Sequence, residues 1–175
     1  MRVPVSVRDS CLSLRTCIGG WVILATGAVS IGLAGESADA VSYPIGYRQW
    51  PHVKSGLINP GHPFHARFGG IHHIYANALA MTGYRRGNFP DGSILVFDLL
   101  EVRTNAGTTD QGPRRHVDVM VKDNARFAGT GGWGYEEFLP SDLSRPTLSP
   151  GDKATCAACH ASRRDHDAVF SEYQE

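Results

Sequence analysis

The residues of this 175-residue chain best suited to chemistry stand together near its C-terminal end: Cys156, Cys159 and His160, within "KATCAACHAS" (153–162). Three chemistries use such a spacing. A C-x-x-C pair can cycle between dithiol and disulfide, it can give two thiolates to zinc, or, with histidine directly after it, it can attach haem. A thioredoxin-like pair belongs to a βαβ setting, whereas here the surroundings read as a polar C-terminal tail. A tetrahedral zinc site needs four ligands; Cys159 and His160 are adjacent, and there is no second C-x-x-C. Haem attachment needs only these five residues. Each thiol adds to one vinyl group on the same side of the porphyrin, and the next residue is placed to ligate iron on one face. The motif therefore reads as the site of one covalent haem c, with Cys156 and Cys159 binding the cofactor and His160 as the iron ligand.

The compartment agrees with that chemistry. Arg2, Arg8 and Arg15 precede an apolar run from Cys17 to about Ala34, and a small-residue stretch ends in Ala38-Asp39-Ala40. Basic, apolar, then A-x-A is the order of a secretory signal peptide, cleaved after Ala40, which sends the chain to the periplasm. The competing reading is a retained anchor, because the run is nearly long enough to span a bilayer. Cleavage removes Cys11 and Cys17 and leaves Cys156 and Cys159 as the only cysteines, so no disulfide framework is available. Residues 41–175 then form one domain, large enough to bury a core. Its 14 Lys and Arg balance 14 Asp and Glu, a charge that suits neither nucleic acid nor an acidic membrane surface.

The elements that must position the motif are partly visible. "SILVFDLLEV" (93–102) is a β-rich apolar run after a Pro90-Asp91-Gly92 turn, and "HVDVMVKD" (116–123) alternates Val117, Val119 and Val121 with Asp118, Met120 and Lys122. Period two predicts a half-buried strand. "RTNAGTTDQGPR" between them reads as a hairpin loop, "GWGYEEFL" as a further strand and "IHHIYAN" as a short one. "ANALAMTGYRR" has helical composition, interrupted by Gly83 and stopped at Gly87. "YPIGYRQWPHVKSG" reads as irregular or a short element, "INPGHPFHARFGG" as loop, and the segment after Pro140 as polar and Pro-rich. An antiparallel sheet with a few flanking helices makes the predicted class α+β.

From Tyr47 to about Phe170 the chain resembles the cytochrome P-460 family, which includes the cytochromes c′-beta. The resemblance rests on "YRQW" (47–50), "GNFPDGS" (87–93), "VKDNARFA" (121–128), "GGWGYEEF" (131–138), "ATCAACH" (154–160) and "DAVF" (167–170), in that order. It implies a sheet-rich homodimer with one five-coordinate haem whose distal face is open to a small gaseous or nitrogenous ligand. It does not identify a redox partner. Two activities occur in the family. Cytochromes P-460 proper join a lysine to the porphyrin edge and oxidise hydroxylamine; the c′-beta members lack that link and bind nitric oxide or carbon monoxide. The linking lysine aligns just before "GNFPDGS", where this chain has Arg85 and Arg86. A guanidinium stays protonated and is a poor nucleophile. Only Lys54, Lys122 and Lys153 follow residue 40, so the cross-link and full hydroxylamine oxidation are not expected.

Other residues have two readings each. Met120 could complete a six-coordinate, electron-carrying haem, or pack in the core as most strand methionines do. His72 aligns with a distal arginine of the family, where an imidazole could donate a hydrogen bond to bound ligand or act as a base, and it is the candidate catalytic residue. His73, its neighbour in an extended segment, must face the other way. Gly134 either turns the chain into a strand or leaves room for the porphyrin. Phe64, Phe68 and Phe89 are candidate lid residues or plain core.

Overall fold

The computed structural model describes residues 39–174; the expected leader up to residue 38, with Cys11 and Cys17, lies outside the described residues. The order of elements is β1 (His52–Ile58), α1 (His65–Phe68), β2 (Gly70–Ala76), α2 (Ala78–Arg86), β3 (Ile94–Asn105), β4 (Thr108–Lys122), β5 (Trp133–Leu139), β6 (Asp142–Pro146) and α3 (Pro150–His160), followed by a 3-10 stretch Ala161–His166. The strands form one six-stranded sheet in sequence order, each antiparallel to the next. The α+β expectation holds.

Several local expectations change. The β3 and β4 strands continue almost through the segment expected to be loop, and the turn is only Ala106-Gly107, both at positive φ (46° and 86°). Two such residues make the hairpin turn whose twist matches the strands. The ribbon reads as loop in sequence because residues 101–111 are exposed on both sides, leaving no core to impose alternation. Edge strands β1 and β6 are missed for a similar reason, being short, mostly exposed and marked by Gly56 or Pro146. The α2 helix runs through Gly83 unbroken; a Cβ there would overlap the Phe89 ring, so the glycine serves packing. Gly87 ends α2 in the left-handed conformation, as expected.

Cross-strand partners share a face, and the register divides the sheet cleanly. One face carries His72, Ile74, Leu95, Phe97, Leu99, His116, Asp118, Met120, Tyr135 and Glu137. Its apolar part, with Trp133, Phe89 and the α2 residues Ala80 and Met81, forms a core against which Cys156, Ala157 and Ala168 pack. The other face carries Val96, Val117, Val119 and Phe138, packed with Tyr47 and Phe127. There Asp98, fully buried, accepts two bonds from Arg114, at 2.6 and 3.1 Å.

Gly134 belongs to this second face. A Cβ on it would overlap the Phe127 ring, so what Gly134 admits is an aromatic side chain of the core. Phe89, only 6% exposed, is likewise core and not a lid. Gly134→Ala should overpack this site and cost ~1–3 kcal/mol, measured as a lower thermal midpoint with the visible spectrum unaltered. An unchanged midpoint would show that Phe127 moves aside freely.

Candidate functional site

The cysteine motif lies on a helix, not in a tail. Ser149 accepts from Asp152 N, Asp152 accepts in return from Ser149 N, and Pro150 takes the first helical position. That reciprocal cap starts α3 where the sequence has nothing but polar residues and proline. Cys156, Cys159 and His160 are then at i, i+3 and i+4, on one side of the helix. Glu136 of β5 ties the helix to the sheet. It is 2% exposed, its Oε1 accepts from Thr147 N and Leu148 N at 3.1 and 2.8 Å, and its Oε2 is 2.7 Å from Lys153 Nζ.

His160 is oriented by a contact eight residues ahead. Its Nδ1 lies 2.7 Å from the carbonyl oxygen of Ala168. A carbonyl only accepts, so Nδ1 carries the proton and Nε2 keeps its lone pair. The ring is held between Tyr135, 5.2 Å away, and Phe170, 5.0 Å away in an edge contact. Burial pushes its pKa below the ordinary histidine value, against the opposing effects of the Ala168 bond and Asp118. A neutral imidazole with a bare Nε2 is the state an iron ligand requires.

The two thiols are free, Cys159 exposed and Cys156 half-buried. Burial, and after it the charge of Asp118, raises the Cys156 pKa. Reactive redox thiols have the opposite shift, so the disulfide-exchange reading loses support. Neither carboxylates nor further cysteines complete a zinc set with them: the cluster of potential ligands among the described residues is His116, Asp118 and Glu137, whose atoms lie within 4.8 Å of one another. Both Glu137 oxygens are already engaged, Oε2 with Arg67 at 3.1 Å and Oε1 with Thr147 at 3.2 Å.

His72 is on the same sheet face as this cluster, and His73 on the opposite one, as strand alternation demands. His73 bonds Ser55 and Gln111 at 2.6 and 3.0 Å. His72 instead stacks on Phe97, with centroids 4.6 Å apart and planes at 19°, and its Nδ1 is buried without a partner. From Phe97 an aromatic series continues through Phe68 to His116. Phe64, by contrast, is 54% exposed. Met120 packs with the first core, its register partners being Leu95 and Tyr135. No hydrogen bond or ring contact joins His72 directly to the cysteine motif among the described residues.

These residues fit a haem. Of the buried side-chain atoms without hydrogen-bond partners among the described residues, His72 Nδ1 and Tyr135 Oη lie on the sheet face against which α3 packs, as does His116 Nε2, which has only Asp118 Oδ2 at 3.4 Å. Buried polar atoms are ordinarily satisfied, so this face is prepared for a polar-edged group that the polypeptide does not supply. The lysines divide as well. Lys122 and Lys153 are held by Asp167 and Glu136, while Lys54 lies on β1 opposite Ile74 and close enough for its charge to lower the His72 pKa.

Sequence reasoning missed Tyr135, Glu136, Ala168, Asp167 and Lys122. Alternation was the one signal within reach. It separates Asp118, Met120 and Lys122 from the valines, and the natural inference that they face solvent is wrong: Lys122 is only 4% exposed. Compared with protein-family models, residues 44–171 match the one described as Cytochrome P460. No curated protein matches the chain.

Burial above all, then the charges of Lys54 and His73, lowers the His72 pKa to about 4 from 6.5. As pH falls below about 6.5 the unfolded chain takes up a proton that folded His72 refuses. The stability tied to this group is thus complete above that pH and drains away towards pH 4. The His72 ring resonances should titrate near pH 4, and His72→Phe should flatten the stability profile over this window. A midpoint near 6.5 would mean that the ring is solvated.

Proposed function

The chain belongs to the cytochrome P460 family, which makes it a c-type haem protein, and we propose that its single haem is joined to Cys156 and Cys159, ligated by His160 Nε2 and left open on its other face. The observation that carries this reading is the His160–Ala168 hydrogen bond, which commits one ring nitrogen and frees the other on the helix that also bears both thiols. When bound, the haem would supply an iron centre able to hold or turn over nitric oxide, and hydroxylamine at most weakly, in the periplasm. His160 fixes the proximal side. His72, neutral at physiological pH, offers a hydrogen-bonding nitrogen in an aromatic, poorly solvated setting, which suits small uncharged ligands. Phe68 and Phe97 limit water beside it. Arg85 and Arg86, in the last turn of α2, supply no nucleophile for a porphyrin cross-link.

The covalent assignment is checked by denaturing the protein matured with a cytochrome c assembly system. Haem should stay with the polypeptide in acidified organic solvent, and Cys156→Ala or Cys159→Ala should leave at most one thioether. Intact mass should equal the chain plus one haem with two thioethers and no further link. The ferrous spectrum should be high-spin with rapid carbon monoxide binding. Full release of haem, or a strongly red-shifted ferrous band, would overturn the corresponding part.

A six-coordinate electron carrier is the second reading, because Met120 lies on the same face as His160. Its packing against Leu95 and Tyr135 favours a core role. Met120→Leu nearly conserves volume and should cost less than ~1.5 kcal/mol with no spectral change. Conversion from low to high spin on this substitution would establish methionine ligation instead.

A further inference from the structure

Lys122 and Asp167 take no part in the proposed chemistry, yet they adjoin the carbonyl that receives the His160 proton. Lys122 Nζ is 2.7 Å from Asp167 Oδ1 and also donates to Gly131 O at 3.1 Å, with side chains 5% exposed for Lys122 and 21% for Asp167. Asp167 Oδ2 accepts from Phe89 N, and its backbone carbonyl accepts from Trp133 Nε1, both at 2.8 Å. Its own N–H bonds Arg164 O at 3.2 Å. Every hydrogen-bonding group of this residue is therefore occupied.

The backbone here is unusual. Asp167 and Ala168 both have left-handed φ, 51° and 64°, and neither is glycine. Such a conformation is unfavourable for residues with a Cβ and persists where the surroundings over-determine it. What it accomplishes is a reversal of the chain after the 3-10 stretch, which brings Ala168 O back to His160. A buried ion pair is weak support for stability as such, because the desolvation of both charges offsets their attraction. Its placement at the one strained turn that touches the histidine indicates a different use.

We propose that the Lys122–Asp167 ion pair is a positioning device for the proximal imidazole: it clamps the 167–168 turn so that the Ala168 carbonyl holds the Nδ1 proton of His160, and thereby tunes the basicity of Nε2. This rests on the reading that His160 ligates the haem iron. A firm hydrogen bond at Nδ1 makes the ring a stronger donor and favours the ferric state; a loosened one does the reverse. Deleting the lysine charge would, by electrostatics alone, also favour the ferric state. The two effects on the reduction potential have opposite signs.

The test uses the haem-loaded protein and three single variants. Asn tolerates the left-handed backbone, so Asp167→Asn removes the charge while keeping the turn and an acceptor for Phe89 N. Lys122→Met removes the other charge at similar length, and Lys122→Arg restores it. Resonance Raman should show the ferrous iron–histidine stretching band at lower frequency in Asp167→Asn and Lys122→Met, and nearer its original position in Lys122→Arg. The reduction potential of Lys122→Met should rise. An unmoved band in Asp167→Asn, or a lower potential in Lys122→Met, would reduce the pair to a structural or purely electrostatic role and overturn the proposal. If Lys122→Met does not mature, the Asp167→Asn band decides. Absence of any iron–histidine band in the unaltered protein would instead overturn the ligation reading, and this inference with it.

Discussion

A carbonyl oxygen has no proton to give, and that asymmetry governs the site. The 2.7 Å contact between His160 and Ala168 selects one imidazole tautomer and makes the chemistry of the other nitrogen a matter of backbone geometry. Three separate stretches of chain must agree for it to exist. The capped helix sets the histidine, Glu136 fixes that helix to β5 through Lys153, and the left-handed turn at Asp167 and Ala168 presents the carbonyl. Ring contacts from Tyr135 and Phe170 then hold the imidazole in place for that bond.

The sheet separates two tasks by its faces. Behind it, Val96, Val117, Val119 and Phe138 pack together, and two buried carboxylates are each paired: Asp98 by the fork of Arg114, Glu136 by Lys153 and the backbone at Thr147 and Leu148. A bidentate partner of this kind meets most of the desolvation cost of a carboxylate. In front, polar side chains stay incompletely paired, among them His72 and His116. Those groups weigh against stability in the polypeptide alone. A fold can tolerate them on one side because the opposite side supplies an apolar layer whose buried carboxylates are paired.

How much of this was legible in sequence depends on the range of the interaction. The haem motif is local, so Cys156, Cys159 and His160 stand out within five residues. The β3–β4 pairing is nearly local and shows in the alternation of Val117, Val119 and Val121. The partner of His160 is not legible, because nothing in "DAVF" announces that an alanine carbonyl will turn towards a helix end. Lys122 is a harder case: an isolated lysine on an alternating strand looks solvent-facing, and only the position of Asp167, 45 residues away in sequence, makes its burial tolerable. Gly83 and Gly134 mislead in the same manner. Gly83 reads in sequence as a break in its own helix and Gly134 as a strand entry or room for the porphyrin, yet each answers to an aromatic ring from another segment. The α3 cap could have been found from Ser149, Pro150 and Asp152, which together make a helix start.

The β3–β4 ribbon has a practical consequence. From Glu101 to Gln111 every residue is exposed, so the tip around Ala106 and Gly107 buries nothing that either core requires. Backbone amides there are protected only by ladder bonds, which places the ribbon tip among the first parts of the domain to open and exchange with solvent. Loop-closure entropy rises slowly with length, and the tip can therefore accept inserted sequence, such as an affinity peptide or a spectroscopic label, far from α3 in the chain. Because the site itself is built from residues between Cys156 and Phe170, this turn offers an attachment point that leaves those residues untouched.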